Sequence, residues 1–206
     1  MEPPAGLPTP PPPAPPPAPL VLLDEDALAA CTARLAREIA RDHPEGVVLV
    51  GVLEGALLLL ADLARAIARV APALDVAVEM VAISRYAPGS GRVRLLYDVG
   101  LPLEGRDVVI VEDLVDTGLS LGYLLGHFRA RGPRALDVCT LLDRAARRIL
   151  PVELRYVGLE IPDVYVLGYG LHHADRYRNL RSVVVADPDV VAADPAAYVP
   201  LLYGCP

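Results

Sequence analysis

The sequence predicts an α/β protein in which a mostly parallel central sheet is flanked by helices. Two apolar runs, at 47–53 and 108–111, are rich in valine, as are strands that a parallel sheet buries on both faces. Each run leads through a short turn into a segment with helical periodicity, over 56–69 and 120–131. This alternation of strand, tight turn and helix is typical of a doubly wound sheet.

Local signals place the other elements in chain order. Asp24 predicts the start of the first helix, because a carboxylate before the first turn caps free backbone N–H groups. Pro44 and Gly46 follow the end of that helix, and short apolar runs bounded by turn residues predict the remaining strands. The full prediction has strands over 21–23, 47–53, 75–84, 95–99, 108–111, 135–142, 155–159, 164–167 and 182–186, with helices over 24–41, 56–69 and 120–131.

Composition divides the chain into three parts. Half of the 22 prolines lie before residue 20, so we expect a disordered leader over 1–20, with a ligand for a proline-binding module as the alternative. One folded domain over 21–187 and a proline-rich surface tail over 188–206 complete the prediction. Within the domain, residues 85–94 hold two glycines, one proline and three arginines, which predicts a mobile cationic flap.

Charge and residue usage exclude several classes of function. The formal net charge of −7 argues against nucleic acid as the main partner. All 19 cationic side chains are arginine, which excludes a Walker A loop and a Schiff-base mechanism, because both need lysine. The three cysteines are widely spaced, and no signal peptide or membrane span is evident. We therefore expect a cytoplasmic protein without a structural zinc site.

The most informative stretch is VVIVEDLVDTGLS, from Val108 to Ser120. Its apolar run stops at Glu112 and Asp113, so these carboxylates are expected at the carboxyl end of a strand. The turn that follows precedes a helix, and backbone N–H groups there can bind a phosphate without a lysine. Because two adjacent carboxylates would repel a bare phosphate, sugar hydroxyls or a Mg²⁺ shell is the expected partner of the acidic pair.

This stretch resembles the phosphoribosyl pyrophosphate (PRPP) motif of the type I phosphoribosyltransferases. Four further segments are similar to the hypoxanthine-guanine branch of that family by their order and spacing, and they are TLLDR at 140–144, VGLEIPD at 157–163, VLGYG at 166–170 and RYRNL at 176–180. The resemblance implies that family's fold, with a small hood and a flexible flap. It also implies transfer of phosphoribosyl from PRPP to a purine base with release of pyrophosphate, Mg²⁺ as cofactor, and a homodimer or homotetramer.

The resemblance implies roles for individual residues. Asp116 corresponds to the acid/base that manages the purine N7 proton, and Glu112 and Asp113 correspond to the pair that binds the ribose hydroxyls, directly or through Mg²⁺. The implied PRPP-binding residues are Glu112, Asp113, Leu114, Val115, Asp116, Thr117, Gly118, Leu119 and Ser120. The implied purine-binding residues are Arg144, Tyr165 and Val166, the pyrophosphate-binding residues are Glu54, Gly55 and Arg178, and the flap residues are Arg85 and Tyr86.

Four positions depart from the pattern of the family. Glu54 precedes Gly55 where the family carries lysine or arginine, so we expect Glu54 to point away from pyrophosphate or to meet Mg²⁺. Arg144 stands in place of a lysine, and Arg85 in place of a serine. His172 replaces a metal-binding aspartate, and imidazole suits Zn²⁺, Ni²⁺ or Cu²⁺ better than Mg²⁺.

Two other functions stay open at this stage. One is phosphoribosyl transfer to an unusual acceptor base, since Arg144 and His172 both lie near the implied base site. The other is a catalytically weak nucleotide-binding regulatory module, since Glu54 brings a negative charge to the pyrophosphate site. A screen of bases with PRPP that follows pyrophosphate release would separate these possibilities.

Overall fold

Nine strands and five helices are present in the structure, a computed structural model that describes residues 16–84 and 93–204. The strands are β1 (Leu20–Leu23), β2 (Val47–Leu53), β3 (Val76–Ile83), β4 (Leu95–Tyr97), β5 (Asp107–Val115), β6 (Ala135–Asp143), β7 (Tyr156–Glu160), β8 (Tyr165–Leu167) and β9 (Val183–Ala186). The helices are α1 (Glu25–Asp42), α2 (Leu57–Val70), α3 (Leu119–Arg129), α4 (Pro188–Ala193) and α5 (Val199–Tyr203). In these two described ranges, no helix is both long enough and apolar enough to cross a membrane.

Six strands form the central sheet, in the order β4, β3, β2, β5, β6, β7. All neighbours are parallel except the edge pair β3 and β4, which confirms the predicted mostly parallel sheet. The chain leaves β2 for β3 on one side and later returns to β5 on the other side of β2. The strand order therefore reverses between β2 and β5, and in open α/β sheets ligands bind at the carboxyl ends of such strands.

The apolar runs of β2 and β5 supply two separate cores because successive side chains of a strand point to opposite faces. Val109 and Val111 pack on the face that α1 and α2 cover. Val108 and Ile110 pack on the other face, against the α3 residue Phe128. These four β5 side chains are fully buried, so the middle of the strand is apolar on both faces.

Strand β5 continues past the point at which the sequence predicted its end. Pairing with β2 stops at the register Gly51 with Val111, whereas pairing with β6 continues to Val115 with Asp143. The acidic pair at 112–113 therefore lies inside β5 rather than after it. Beyond Val111 only one edge of β5 is paired within the sheet, and this one-sided extension gives the carboxylates access to open space beside β2.

A second sheet, with strand order β1, β9, β8, forms a small antiparallel layer that we call the hood. The hood begins at Leu20, one residue inside the predicted leader; residues 1–15 lie outside the described part of the chain. Within the predicted surface tail over 188–206, α4 and α5 fold onto the hood through buried Val191 and Tyr198. Two of the four prolines in this stretch, Pro188 and Pro200, occupy the first turns of these helices, where a missing N–H costs little.

A buried polar network joins the end of α1 to β7. The Tyr156 hydroxyl lies 3.0 Å from Nε2 of His43 and donates to Asp42 at 3.2 Å. Asp42 also accepts hydrogen bonds from Arg41 at 2.8 Å and from Arg155 at 3.0 Å. The hydrogen bond from Arg41 is the largest of several influences that lower the pKa of the Asp42 carboxyl to about 2.

Substitution Asp42→Asn should lower the free energy of unfolding by about 1–2 kcal/mol at pH 7, because it removes an ionised acceptor from three hydrogen bonds. The unfolded chain should titrate Asp42 near pH 4, above the folded value of about 2. The stability from this carboxylate is therefore present above about pH 4 and is lost as the pH falls toward 2. Urea denaturation at pH 7, 4, 3 and 2 should show the difference between variant and wild type shrinking, whereas exposed Asp75→Asn should show little difference at pH 7. If the difference in the free energy of unfolding between wild type and Asp42→Asn did not change with pH, the stabilising role of the ionised Asp42 would be contradicted.

Candidate active site

A cleft of about 830 Å³ opens at the carboxyl edge of the central sheet, between the ends of β2 and β5 and the hood. All the predicted site residues in the described ranges line this cleft except Leu119, which begins α3. The predicted flap residues Arg85 and Tyr86 lie outside the described residues. The Ser84 N–H donates to the Arg94 carbonyl at 2.8 Å, and the Arg94 N–H donates to the Ser84 hydroxyl at 3.1 Å, so the two ends of that segment are joined. The fold thus brings together side chains that are more than a hundred residues apart in the chain.

The loop at 117–120 joins β5 to α3 and presents backbone donors to the cleft. Gly118 adopts a φ of 80°, and a Cβ there would overlap the carbonyl oxygen of Leu150. Glycine is therefore required by both the backbone conformation and the close approach of the neighbouring segment. Gly118 gives α3 no capping side chain. The Leu119 N–H donates to the Thr117 hydroxyl at 3.4 Å, and the N-terminus of α3, the positive end of its dipole, favours an anion such as phosphate.

The acidic pair lies where the β2–α2 turn approaches β5. Glu112 is buried in the wall of the cleft, and one Asp113 oxygen accepts a hydrogen bond from the Leu114 N–H at 2.9 Å. A Cβ on Gly55 would overlap the Asp113 carboxylate. Gly55 therefore acts through its small size, because it leaves the space that the Asp113 carboxylate occupies.

Asp116 lies between two arginines. Its Oδ2 is 3.6 Å from Nη1 of Arg144 and 3.6 Å from Nη1 of Arg147. Arg144 is only 4% exposed, and both its Nε and the Asp116 Oδ1 are buried without a hydrogen-bond partner in the described structure. Buried polar atoms normally have partners, so these two atoms are an exception, and the residues that carry them both line the cleft.

Arg147 was missed by the sequence analysis. Residues 145–147 form one turn of 3-10 helix, in which side chains three residues apart eclipse each other. This turn places Arg147 beside Arg144 at the mouth of the same cleft. The spacing of three after Arg144 was the available signal, but nothing in the sequence indicated a 3-10 turn there.

The wall contributed by β8 carries an aromatic ring. The Tyr165 hydroxyl lies 2.8 Å from Nδ1 of His173, and the two rings meet edge to face. His172, the residue before His173, lines the cleft. Its Nδ1 accepts a hydrogen bond from the Asp175 N–H at 3.3 Å. His173 was not among the predicted site residues, although its contact restrains the ring of Tyr165.

The loop that leads out of β8 carries the hood over the end of β2. Tyr169 has a φ of 47°, and its hydroxyl donates to Asp62 of α2 at 2.5 Å. Burial, and then the hydrogen bond to the Asp62 carboxylate, raise the pKa of Tyr169 well above its usual range, so it remains a donor. A Cβ on Gly170 would overlap the carbonyl oxygen of Gly55. The hood loop therefore packs directly on the β2–α2 turn.

Glu54 and Arg178, both predicted to bind pyrophosphate, form an ion pair with each other. Nη2 of Arg178 donates to Oε2 of Glu54 at 2.8 Å, and Nη1 donates to the Gly170 carbonyl at 2.7 Å. The peptide bond between Leu53 and Glu54 is cis. The sequence analysis expected Glu54 to point away from pyrophosphate or to meet Mg²⁺, and it did not anticipate an ion pair with Arg178.

Comparison with known proteins places this cleft in a family. The model of the phosphoribosyl transferase domain matches residues 21–176. The chain belongs to the phosphoribosyltransferase family. Among curated relatives, the hypoxanthine-guanine phosphoribosyltransferase of Mycobacterium avium is 42% identical over 180 residues, covering 82% of this chain and 86% of the relative. The enzyme of the same name from Bacillus subtilis is 37% identical, covering 82% of this chain and 94% of the relative.

Solved structures give the same placement. A hypoxanthine phosphoribosyltransferase variant from Trypanosoma cruzi, complexed with the product IMP, has a TM-score of 0.80 and is 37% identical, covering 85% of this chain and 95% of that one. A hypoxanthine-guanine phosphoribosyltransferase from Bacillus anthracis has a TM-score of 0.74 at 37% identity, covering 80% of this phosphoribosyltransferase and 95% of that chain. The predicted family and its type I fold are therefore confirmed.

Replacing Gly55 by alanine should disrupt the acidic pair without unfolding the protein. The new Cβ would overlap the Asp113 carboxylate and push it out of the cleft wall, so binding of PRPP should weaken at least tenfold, or about 1.4 kcal/mol. Calorimetric titration with PRPP and Mg²⁺ would measure this. Gly126→Ala is the matched control, because no atom lies within 4 Å of a Cβ there. Equal affinity in both variants would show that the position of Asp113 does not matter for PRPP.

Proposed function

We propose that this protein transfers the 5-phosphoribosyl group of PRPP to a purine base of the hypoxanthine or guanine type, as in purine salvage. The products are pyrophosphate and a nucleoside monophosphate. The observation that carries the proposal is the cleft itself, in which the PRPP motif on β5 and the Asp116–Arg144 pair face the same space. The names of the similar curated proteins and structures support it.

The reaction breaks the bond from ribose C1 to the pyrophosphate oxygen and forms a bond from C1 to a base nitrogen. The transition state is a ribosyl oxocarbenium ion, so the site must hold both reactants in line and keep water away. In the proposed function, the 117–120 loop binds the 5′-phosphate, and the carboxylates of Glu112 and Asp113 bind the ribose hydroxyls. These anions also stabilise positive charge that develops on the sugar.

The base is proposed to lie between Tyr165 and the Asp116–Arg144 pair. Arginine offers only donors, so Arg144 favours an exocyclic oxygen on the base over an amino group. The Asp116 carboxylate would accept the proton on N7 beside that oxygen. Tyr165 would stack on the base plane, and the Val166 backbone would contact the base edge.

Mg²⁺ fits this site as a partner of PRPP rather than as a resident of a closed protein cage. Among the described residues, no group of three or more histidine, cysteine or acidic side chains could hold a metal ion. Mg²⁺ commonly takes one or two carboxylates and completes its shell with phosphate oxygens and water, so Glu112 and Asp113 suit it. When bound, the ion would screen the charge of pyrophosphate. The imidazole of His172 does not suit a second Mg²⁺.

The base site also favours one alternative within the same chemistry. Arg147 adds a second guanidinium beside Arg144, so an unusual acceptor base with more oxygen acceptors than hypoxanthine would gain a partner. A panel of purine and other bases with PRPP and Mg²⁺, followed by pyrophosphate release, tests both possibilities. A regulatory nucleotide-binding module would bind PRPP and turn over no base.

We also propose that the protein is cytoplasmic and that it assembles as a homodimer or homotetramer. Light scattering would measure the assembly.

Asp116→Asn should separate proton transfer from binding. The amide keeps the shape of the side chain but cannot accept the N7 proton, so turnover should fall by about 10²- to 10⁴-fold. Affinity for PRPP should change far less. Steady-state kinetics with hypoxanthine and guanine, and calorimetry with PRPP, would measure the two effects.

The control for this experiment is Asp163→Asn, which removes an exposed carboxylate 3.7 Å from Arg147 and should leave turnover within about twofold. Glu112→Gln combined with Asp113→Asn should instead weaken PRPP binding. Equal losses of PRPP affinity in Asp116→Asn and in the double variant would mean that Asp116 binds the ribose phosphate and is not the proton acceptor.

A further inference from the structure

Glu54 gives the pyrophosphate end of the cleft a carboxylate that has no obvious use in binding an anion. It follows β2 at the turn where the resemblance implies a cation, and the side chain lines the cleft. Its partner is Arg178, which is the cation proposed to bind pyrophosphate. The carboxylate therefore occupies a donor that the proposed ligand needs.

The two terminal nitrogens of the Arg178 guanidinium have different hydrogen-bond partners. Nη1 donates to the Gly170 carbonyl at 2.7 Å, which ties the side chain to the hood loop. Nη2 donates to Glu54 at 2.8 Å. The hood loop is itself fixed against the β2–α2 turn by the close packing of Gly170 on Gly55. Arg178 can therefore stay anchored through Nη1 while Nη2 exchanges one anion for another.

We propose that Glu54 is an intramolecular competitor that holds Arg178 when the pyrophosphate site is empty and must release it when pyrophosphate or PRPP binds. This inference rests on the proposed function, because it assumes that Arg178 contacts the pyrophosphate group. Glu54 acts through Arg178 and is a positioning residue. Its effect is to weaken binding of the pyrophosphate group and to speed release of the product.

The burial of the pair suits exchange. The Glu54 side chain is 71% exposed and that of Arg178 is 27% exposed. Exposed ion pairs contribute little to stability, so a multiply charged anion can displace the carboxylate. After displacement, Glu54 can turn toward solvent, because most of its surface is already in water. A buried pair would instead leave an uncompensated charge and would block the site.

Removing the competitor should tighten binding of the probe, inorganic pyrophosphate with Mg²⁺. Glu54→Gln keeps the size of the side chain and removes its charge, so the dissociation constant of pyrophosphate should fall by about two- to tenfold. Product inhibition by pyrophosphate should strengthen by a similar factor, and the Michaelis constant for PRPP should fall. A variant that is damaged in structure would lose affinity, so a gain of affinity cannot come from misfolding.

Two further variants make the test specific to Arg178. Asp163→Asn removes one negative charge from a different exposed ion pair with an arginine, and it should leave pyrophosphate affinity unchanged. Arg178→Gln should weaken pyrophosphate binding, and adding Glu54→Gln to it should have no further effect. If Glu54→Gln tightens binding by the same factor with and without Arg178, direct repulsion explains the effect and the competition is overturned.

The calorimetric measurement needs no turnover, which keeps this inference separate from the proposed function. A wild-type protein that transfers phosphoribosyl to no base in the panel would defeat the proposed function, whatever the affinity for pyrophosphate. Active wild-type protein whose pyrophosphate affinity is the same in Glu54→Gln would defeat the competition alone. Unchanged affinity in Arg178→Gln would also overturn it, because Arg178 would then not be the shared partner.

Discussion

The site depends on the unequal pairing of β5. Strand β2 pairs with β5 only as far as Val111, whereas β6 pairs with it to Val115. Four further residues of β5 therefore continue beyond its last pair with β2, at the place where the strand order reverses. This extension carries Glu112 and Asp113 into the cleft and delivers the chain to the 117–120 loop. Without it, the acidic pair and the 117–120 loop would not face the β2–α2 turn.

Charge pairing inside the cleft sets a second constraint. Arg144 and Arg147 both lie near Asp116, and Arg178 is paired with Glu54. Each of these cations thus has a carboxylate near it before any ligand binds. Anionic ligands must compete with these carboxylates for the guanidinium groups. Whether a carboxylate gives way depends on how deeply it is buried. The exposed Glu54 can move away, whereas Asp116 is held in a wall where its Oδ1 is already shielded from water.

Much of this arrangement could be predicted from the sequence because its main signals are local. The valine-rich runs, the two tight turns and the acidic pair followed by Asp-Thr-Gly each lie within a few residues. The sequence therefore predicted the parallel sheet and the turn between β5 and α3 that lines the cleft. The failures depend on contacts distant in sequence. The end of β5 is determined by which neighbour it pairs with, and the fold of residues 188–204 by burial of Val191 and Tyr198 against the hood. The pairing of Glu54 with Arg178 joins residues 124 positions apart.

The absence of lysine from this chain has a consequence at position 144. A buried lysine can lose its proton, because burial disfavours the ammonium ion, whereas arginine stays charged under the same conditions. Arg144 is 4% exposed, and Asp116 lies 3.6 Å away, so a permanent cation fits beside this carboxylate. The Arg144 guanidinium is a donor and the Asp116 carboxylate is an acceptor, and both side chains line the cleft, so the pair can recognise a ligand edge that presents an acceptor beside a donor. In the proposed function, O6 and N7–H of a 6-oxopurine form such an edge. The planar guanidinium directs its N–H groups more strictly than an ammonium would, so the site should tolerate less variation in base position than one built on lysine.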